Sequence, residues 1–258
     1  AKAFENGLLH PNSFVRDVPV SIGNYAPENF DKTFAGAVPA GLALSRSLNI
    51  PAAMLLREYG LGIFYEDLHQ LGFKSINRPA GNYGLTLILG GAEVSLWDLA
   101  KVYQQQANRL AFVSGNAEKK SNIYLWENST DSTNMTIDPA AWYQISEALT
   151  EVTRPGANQD WKRFSSSHKI AWKTGTSHGF RDAWAVGYNA EYLVAIWVGN
   201  ADGVGRPGLT GVSAAAPLLF SVFDHLQSDR WFYKPDGYFK PTSLCAITGL
   251  IPNAYCPK

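Results

Sequence analysis

Apolar residues recur at helical spacing in the middle and near the end of the chain. The spacing i, i+3, i+4, i+7 places side chains on one face of a helix. Ser95-x-x-Asp98 has the form of a capping box, and Asp138-Pro139 suits an N-cap followed by the first helical residue. The pattern predicts three amphipathic helices, whose apolar positions are Leu96, Leu99, Ala100 and Tyr103; Ile145, Ala148, Leu149 and Val152; and Leu219, Val222, Phe223 and Leu226.

The first sixty residues predict shorter elements. One helix is predicted to follow the Pro39 region and to run to about residue 46. Pro51 disfavours helical backbone in the residue before it, so a second helix is predicted over about residues 52–59. Residues 8–37 contain several prolines and glycines and predict an irregular, loop-rich stretch.

From residue 169 the period of the apolar positions changes. Residues 170–174 favour a strand, and residues 183–188 and 192–198 are two β-rich runs joined by a short connection, which indicates a hairpin. A chain that gives helices first, then strands and then a closing helix predicts an α+β fold. We therefore expect an antiparallel sheet flanked by helices.

Composition and charge exclude several classes of partner. Of the 258 residues, 46% are hydrophobic and 17% charged, and 22 basic residues balance 22 acidic ones. Such a chain creates no net field that would attract nucleic acid or an acidic lipid surface. No apolar run reaches the length of a membrane span, and the five histidines lack metal-ligand spacing. We expect no nucleic acid, no membrane contact by this segment, no metal and no cofactor.

Two cysteines, Cys245 and Cys256, lie near the end of the chain with ten residues between them. They could close a small loop as a disulfide, or they could remain two unlinked thiols. An oxidising compartment would favour the disulfide.

The sequence Lys173-Thr174-Gly175-Thr176 lies on the first predicted strand of the hairpin region. Side chains alternate along a strand, so Lys173 and Thr174 face opposite sides, and Gly175 lets another backbone lie close. A peptide could add to this edge, with its terminal carboxylate held by the Lys173 ammonium and the Thr176 hydroxyl. The N–H of Thr176 could help to stabilise an oxyanion. Taken alone, a Lys-Thr-Gly sequence is more often structural.

Ser47 and Asn49 lie 126 and 124 positions upstream of Lys173, at the predicted break between two helices. An isolated Ser-x-Asn there is best explained as a helix cap. In a site, Ser47 could relay a proton and Asn49 could hold a substrate amide. The order and separation of the two motifs raise their joint significance.

Longer segments around both motifs resemble class A penicillin-binding proteins, most of all those of the 1C type. The resemblance rests on residues 43–52 around Ser47, residues 89–100, and residues 171–187 around Lys173. Residues 7–19, residues 29–31 and the two-cysteine tail also resemble this family, so that the likeness covers nearly the whole chain.

The resemblance implies a penicilloyl-serine-transferase fold that is incomplete at the N-terminus. It implies a transpeptidase domain fragment over residues 1–228 and a linker or tail over residues 229–258. The function implied is a peptidoglycan D,D-transpeptidase that cross-links stem peptides through a serine acyl-enzyme and binds β-lactams. It would act at the periplasmic face of the bacterial inner membrane, with a membrane anchor and a glycosyltransferase domain elsewhere in the parent. Catalytic roles then fall on Ser47, Asn49 and Lys173, and substrate-binding roles on Thr174, Gly175, Thr176 and Ser177.

The family's nucleophile motif, Ser-x-x-Lys, is absent from the expected place, which lies just before Ala1. We expect the chain to be a piece of a longer protein, to be inactive alone, and to have the missing N-terminal segment as a partner. One literal match, Ser166-Ser167-His168-Lys169, follows Ser47 in the wrong order and is interpreted as a polar loop.

Two other functional classes remain open. The first is a non-catalytic peptidoglycan-binding or scaffold module of a cell-wall synthase. The second, a serine β-lactamase, is less favoured because no deacylating Glu motif is evident.

Overall fold

A three-stranded antiparallel sheet lies at the centre of the fold. The computed structural model describes residues 1–23, 25–115, 136–155 and 168–256. The sheet has the order β3-β4-β5, and Gly175 lies opposite Trp184, which lies opposite Trp197. Its strands are β3 (Ala171–Thr176), β4 (Asp182–Tyr188) and β5 (Leu193–Gly199).

Helices cover both faces of this sheet. On one face a Cβ at Gly187 would lie 3.0 Å from a methyl group of Leu219, so the last helix packs directly on the strand. On the other face the Tyr188 ring stacks on Trp142, with 5.8 Å between centroids. The predicted α+β fold, an antiparallel sheet flanked by helices, is confirmed. The helices are α1 (Lys2–Glu5), α2 (Ala40–Ser45), α3 (Asn49–Tyr59), α4 (Leu61–Leu71), α5 (Ala80–Tyr83), α6 (Leu96–Val113), α7 (Pro139–Thr150) and α8 (Ala216–Leu226), with 3₁₀ helices at Gly84–Leu89 and Asp236–Tyr238 and a π-helical turn at Gly211–Ala215.

Local signals place the starts of α6 and α7 as predicted. The Ser95 hydroxyl accepts a hydrogen bond from the N–H of Asp98 at 3.0 Å. The Asp138 carboxylate accepts from the N–H of Ala140 at 2.8 Å, and Pro139 is the first residue of its helix. Each cap is made by residues within a few positions, which is why the sequence reveals it.

The predicted start of α3 is wrong by three residues. The helix begins at Asn49 rather than at residue 52. Pro51 then lies in the first turn, where its missing N–H costs nothing because that N–H would lack a partner within the helix. The terminal N–H of Asn49 is satisfied by Asn29 instead, at 2.9 Å.

The stretch over residues 8–37 is less irregular than predicted. It contains β1 (Phe14–Asp17) and leads into β2 (Gly36–Pro39), and these strands pair antiparallel. Asp17 is buried and accepts a hydrogen bond from the N–H of Ala35, which closes the loop between the strands. Polar contacts rather than apolar alternation fix this pair, so the hydrophobic pattern does not show it.

The segment after α8 packs on the rest of the structure. Phe232 is buried beside Tyr188, and the indole N–H of Trp231 donates to the carboxylate of Glu147 at 2.6 Å. Farther on, the carbonyl oxygen of Thr248 accepts from the N–H of Phe14 at 2.9 Å. The boundary between residues 228 and 229 stays a prediction. Across the described ranges, no helix is both long and apolar enough to cross a membrane.

Candidate active site

Lys173 and Ser47 meet at one edge of the sheet. The Lys173 Nζ donates to the Ser47 Oγ at 2.7 Å and to the carbonyl oxygen of Thr174 at 2.9 Å. Lys173 lies in the middle of β3, whereas Ser47 lies just beyond the end of α2. The fold therefore brings the two sequence motifs into direct contact across 126 positions.

The environment of Lys173 makes its ammonium give up a proton more readily than an exposed lysine does. Burial lowers the pKa of Lys173 from its ordinary 10.5 to about 8. Desolvation disfavours the charged form of an amine, and a lysine with a lowered pKa can accept and return a proton near neutral pH. Its contact with the Ser47 hydroxyl gives that proton a path to the hydroxyl oxygen.

Ser47 has a backbone conformation that serine rarely adopts. Its φ is 59°, in the left-handed region. Two hydrogen bonds close the end of α2, from the Ser47 N–H to the Leu44 carbonyl and from the Leu48 N–H to the Ala43 carbonyl, both at 3.0 Å. This is the Schellman arrangement, in which glycine is the usual left-handed residue. A side chain there costs about 1–2 kcal/mol.

Asn49 is the first residue of α3, and its side chain is held by the loop that precedes β2. The amide Nδ2 of Asn49 donates to the carbonyl oxygen of Glu28 at 2.8 Å. Its backbone N–H donates to the side-chain oxygen of Asn29. Asn49 is partly exposed, two residues from the Ser47 hydroxyl. The substrate contact expected of Asn49 stays a prediction.

The residues after Lys173 shape the end of β3. The Thr176 hydroxyl accepts from the N–H of Gly211 at 3.0 Å. The Ser177 hydroxyl accepts from the N–H of Asp182 at 2.8 Å, and the Ser177 N–H donates to the Asp182 carbonyl at 3.0 Å, which closes the turn into β4. Both hydroxyls therefore support the strand end.

The close backbone approach that requires a glycine occurs at Gly211 and not at Gly175, where it was predicted. A Cβ at Gly211 would lie 2.6 Å from the carbonyl oxygens of Gly175 and Trp184, so no side chain fits. A Cβ at Gly175 would lie 3.6 Å from that of Trp184, which is an ordinary contact. Gly211 was missed, although the sequence Thr210-x-x-Ser213 marks the capping box that begins there.

The outer edge of β3 has no partner strand in the described part of the chain. In the order β3-β4-β5, β3 pairs on one side only, with β4. An edge strand presents a row of backbone donors and acceptors that can pair with an extended peptide. Lys173 and Thr176 lie on this edge strand.

The remaining candidates lie away from this edge. Cys245 and Cys256 are thiols in contact with each other, and the hydrogen bond to Cys256 is the main cause that lowers the pKa of Cys245 to about 6. Their disulfide stays a prediction. Ser166 and Ser167 fall outside the described residues, and Lys169 forms an ion pair with Glu147 at 2.7 Å. Where the structure describes the chain, no group of three His, Cys, Asp or Glu side chains could hold a metal ion.

Comparison with known proteins decides the family. A family model described as the penicillin binding protein transpeptidase domain matches residues 1–220. The chain belongs to this family. This membership confirms the resemblance to penicillin-binding proteins that residues 43–52, 89–100 and 171–187 of this chain indicated.

Curated relatives support the same assignment. The chain is 37% identical over 226 residues to penicillin-binding protein 1C of Escherichia coli (strain K12), which is 88% of this chain and 28% of that protein. It is 27% identical over 234 residues to penicillin-binding protein 1B of Haemophilus influenzae, which is 87% of this chain and 29% of that protein. The chain thus spans less than a third of the length of these relatives.

Solved structures of penicillin-binding proteins share the fold. PonA1 of Mycobacterium tuberculosis in complex with penicillin V superposes with a TM-score of 0.64 at 20% identity, over 97% of this chain and 72% of that one. Penicillin-binding protein 1A of Haemophilus influenzae gives a TM-score of 0.63 at 20% identity, over 98% of this chain and 44% of that one.

Proposed function

We propose that this chain is the transpeptidase domain of a peptidoglycan synthase and serves acyl transfer on D-Ala-D-Ala stem peptides. The observation that carries the proposal is the 2.7 Å hydrogen bond between Lys173 Nζ and Ser47 Oγ. A half-buried amine that contacts an exposed hydroxyl is an arrangement for moving a proton, and it joins the two motifs that the family uses.

The chemistry assigns separate roles to the two side chains. The serine of a Ser-x-x-Lys gives its hydroxyl proton to the lysine of that motif and attacks the carbonyl carbon of the D-Ala-D-Ala bond. The amide C–N bond breaks, and the terminal D-Ala leaves as an amine that needs a proton. Ser47 can donate its hydroxyl proton to that amine while the Lys173 ammonium restores it. In the second half of the reaction an acceptor amine attacks the acyl-enzyme, and the proton flow reverses. The nucleophile itself belongs to a Ser-x-x-Lys that the 258 residues do not contain before Ser47.

The edge of β3 supports binding of the stem peptide. The peptide would lie along the unpaired edge, with its terminal carboxylate near the Lys173 ammonium and the Thr176 hydroxyl. Thr174, Gly175 and Ser177 keep their proposed substrate-binding role as parts of the same edge. A β-lactam carries a carboxylate beside its reactive amide and would bind at the same edge. It would inhibit by acylating the nucleophile.

A non-catalytic role is the second candidate. The Nδ2 of Asn49 is already bound to the carbonyl oxygen of Glu28, which favours a cleft that binds peptidoglycan without reacting. In either case we place the domain at the periplasmic face of the bacterial inner membrane, where its peptidoglycan substrate is made. A serine β-lactamase is less favoured.

The test is acylation by a fluorescent penicillin, followed by intact-protein mass spectrometry. The 258-residue chain is compared with a version extended upstream, which we propose supplies the Ser-x-x-Lys. We expect no adduct on the shorter chain and one penicilloyl adduct on the longer one. K173M in the longer protein should slow acylation by about 10²–10⁴-fold, as loss of an acid–base group does.

The exposed Lys240 offers a matched control, because K240M makes the same change outside β3 and the turn at Ser47. K240M should be acylated at the wild-type rate. An extended wild-type chain that binds a D-Ala-D-Ala peptide but forms no adduct would support the scaffold function. An adduct on the shorter chain would instead place the nucleophile at a serine within residues 1–258.

A further inference from the structure

The start of α3 is capped by a residue twenty positions upstream. Leu48, the N-cap residue, provides no side-chain hydrogen bond. The first N–H groups of a helix need acceptors from outside the helix. The side-chain oxygen of Asn29 accepts from the N–H of Asn49 at 2.9 Å and from the N–H of Ile50 at 3.4 Å. This tertiary contact replaces the local side-chain cap that α6 and α7 possess.

Asn29 is itself fixed by a buried carboxylate. Its Nδ2 donates to the Asp17 Oδ1 at 2.7 Å and to the Thr33 carbonyl at 2.8 Å, while Asp17 Oδ2 accepts from the N–H of Ala35 at 2.7 Å. Asp17 is 0% exposed and Asn29 is 4% exposed. A carboxylate only accepts hydrogen bonds, so the amide nitrogen of Asn29 must face Asp17 and its oxygen must face the helix. Hydrogen bonds to a charged partner are about twice as strong as neutral ones.

The same loop holds the Asn49 side chain through the carbonyl of Glu28, at 2.8 Å. The chain is thus anchored on both sides of Ser47. On one side, the Leu48 N–H binds the Ala43 carbonyl at the end of α2. On the other side, Asn29 and Glu28 bind Asn49. A serine with a left-handed φ keeps that conformation only when its surroundings impose it.

We infer that Asn29 and Asp17 are positioning residues of the active site, which act through the start of α3 to hold the Ser47 hydroxyl against Lys173. The catalytic part of this inference rests on the proposed function. Neither residue touches the reacting groups; Asn29 sets the place of Asn49, and Asp17 sets the orientation of Asn29. A purely structural role would stabilise the fold without affecting the Ser47–Lys173 contact, and the experiment separates the two.

The experiment uses three variants and two readouts on the 258-residue chain. N29A removes the side chain that caps α3. N29D replaces the amide donor to Asp17 with a second carboxylate. The exchanged pair D17N/N29D restores the amide–carboxylate contact and leaves a carboxylate oxygen to accept from the N–H of Asn49. It also removes the donor to the Thr33 carbonyl, so the rescue is partial. Amide hydrogen exchange reports on the N–H groups of Asn49 and Ile50. NMR titration of Lys173 with labelled lysine side chains reports on the contact with Ser47.

In N29A and N29D we expect faster exchange at Asn49 and Ile50, and a rise in the pKa of Lys173 by about one unit as water reaches the amine. D17N/N29D should return both readouts toward wild type. S146A is the control, because it removes a buried hydrogen bond to Tyr188 on the α7 side of the sheet. It should lower stability and leave the Lys173 titration unchanged.

In the upstream-extended protein, N29A should reduce the acylation rate by about 10–100-fold, the scale expected when a group is displaced by about 1 Å. The inference is wrong if N29A accelerates exchange while Lys173 titrates as in wild type, because Asn29 is then only a helix cap. If N29A and N29D do not fold, N29S replaces them, because its shorter side chain withdraws the acceptor from the N–H of Asn49. A raised pKa of Lys173 in folded N29S supports the inference, and a wild-type titration contradicts it. An extended wild type that is never acylated overturns the proposed function, while the Lys173 readout still judges the positioning role.

Discussion

Helices α2 and α4 end in the same hydrogen-bonded turn, one through a serine and the other through a glycine. At the end of α4, the Gly72 N–H donates to the His69 carbonyl at 2.9 Å and the Phe73 N–H donates to the Leu68 carbonyl at 3.1 Å. Gly72 has a φ of 104°. Glycine adopts positive φ without a steric penalty, so this turn follows from sequence in the ordinary way.

At the end of α2, Ser47 makes the equivalent turn with a φ of 59°. The side chain costs about 1–2 kcal/mol there, and nothing in the turn itself requires it. What distinguishes this turn is the hydroxyl, which contacts Lys173 Nζ at 2.7 Å. If the proposed function is right, the difference between the two turns teaches that a residue with a conformational cost can occupy a turn where its side chain has chemistry to perform.

The largest effect on the free energy of unfolding should come from replacing Lys173, the lysine that contacts Ser47. The pKa of Lys173 is lowered by burial to about 8, against 10.5 in the unfolded chain. Between these pH values the unfolded state binds more protons, so wild-type stability rises as pH increases from about 8 to about 10.5. Below pH 8 the buried ammonium destabilises the fold by at most about 3 kcal/mol, from 1.36 kcal/mol per pKa unit.

The variant K173M has no ionisable side chain at this position, so this pH-dependent contribution to stability is absent. We therefore expect K173M to be more stable than wild type at pH 7, with the gap in the free energy of unfolding closing as pH rises to 10.5. Urea unfolding at several pH values measures the gap. A gap that stays constant with pH would show that Lys173 has an ordinary pKa in the fold.

The helices that precede the two turns, α2 and α4, also differ in their contacts with the loop between Cys245 and Cys256. Oxidation of the two cysteines should reveal this difference. The Ser13 hydroxyl donates to the Gly249 carbonyl within the loop between Cys245 and Cys256, and the Ser13 carbonyl accepts from the N–H of Ala40 at the start of α2. Among the hydrogen bonds of the described residues, no equivalent one joins this loop to α4. Closing a loop of this length stabilises by about 3 kcal/mol.

We expect oxidised glutathione to convert the two thiols to a disulfide, with a mass loss of about 2 Da for the two hydrogens. The amide of Ala40 should then exchange more slowly, and the amide of Gly72 should be unaffected. C245S/C256S should show neither change. An unchanged mass, or equal slowing at both amides, would contradict this prediction.

The sequence predicts those parts of the fold whose causes are local. The start of α7 depends on Asp138 and the two residues after Pro139, and it lies where the pattern places it. The start of α3 depends on Asn29, twenty positions away, so a rule based on Pro51 alone gives the wrong residue. Periodicity records which face of an element is buried, but it carries no information about caps supplied from elsewhere in the chain.

The same limit applies to the candidate site. Ser47 and Lys173 were identified from their motifs and the family resemblance, whereas the hydrogen bond between them depends on the path of the whole chain. The left-handed φ of Ser47 has no sequence signal, because serine is not a residue that marks such positions. Gly211 carries a signal only through Thr210 and Ser213, which indicate a helix start rather than a close approach to Gly175.

The smallest effect is expected from two variants that distinguish the backbone conformation of Ser47 from the role of its hydroxyl. S47G and S47A both remove the hydroxyl, but only alanine retains a Cβ at a positive φ. We expect S47G to have the higher free energy of unfolding, by about 1 kcal/mol, while G72A at the matched turn loses a similar amount relative to wild type. Chemical denaturation measures all three.

In the upstream-extended protein, S47G and S47A should lose acylation equally, because activity depends on the hydroxyl and stability on the backbone. Equal stability of S47G and S47A would mean that the turn at Ser47 is not strained, and the contrast with Gly72 would then have no energetic basis.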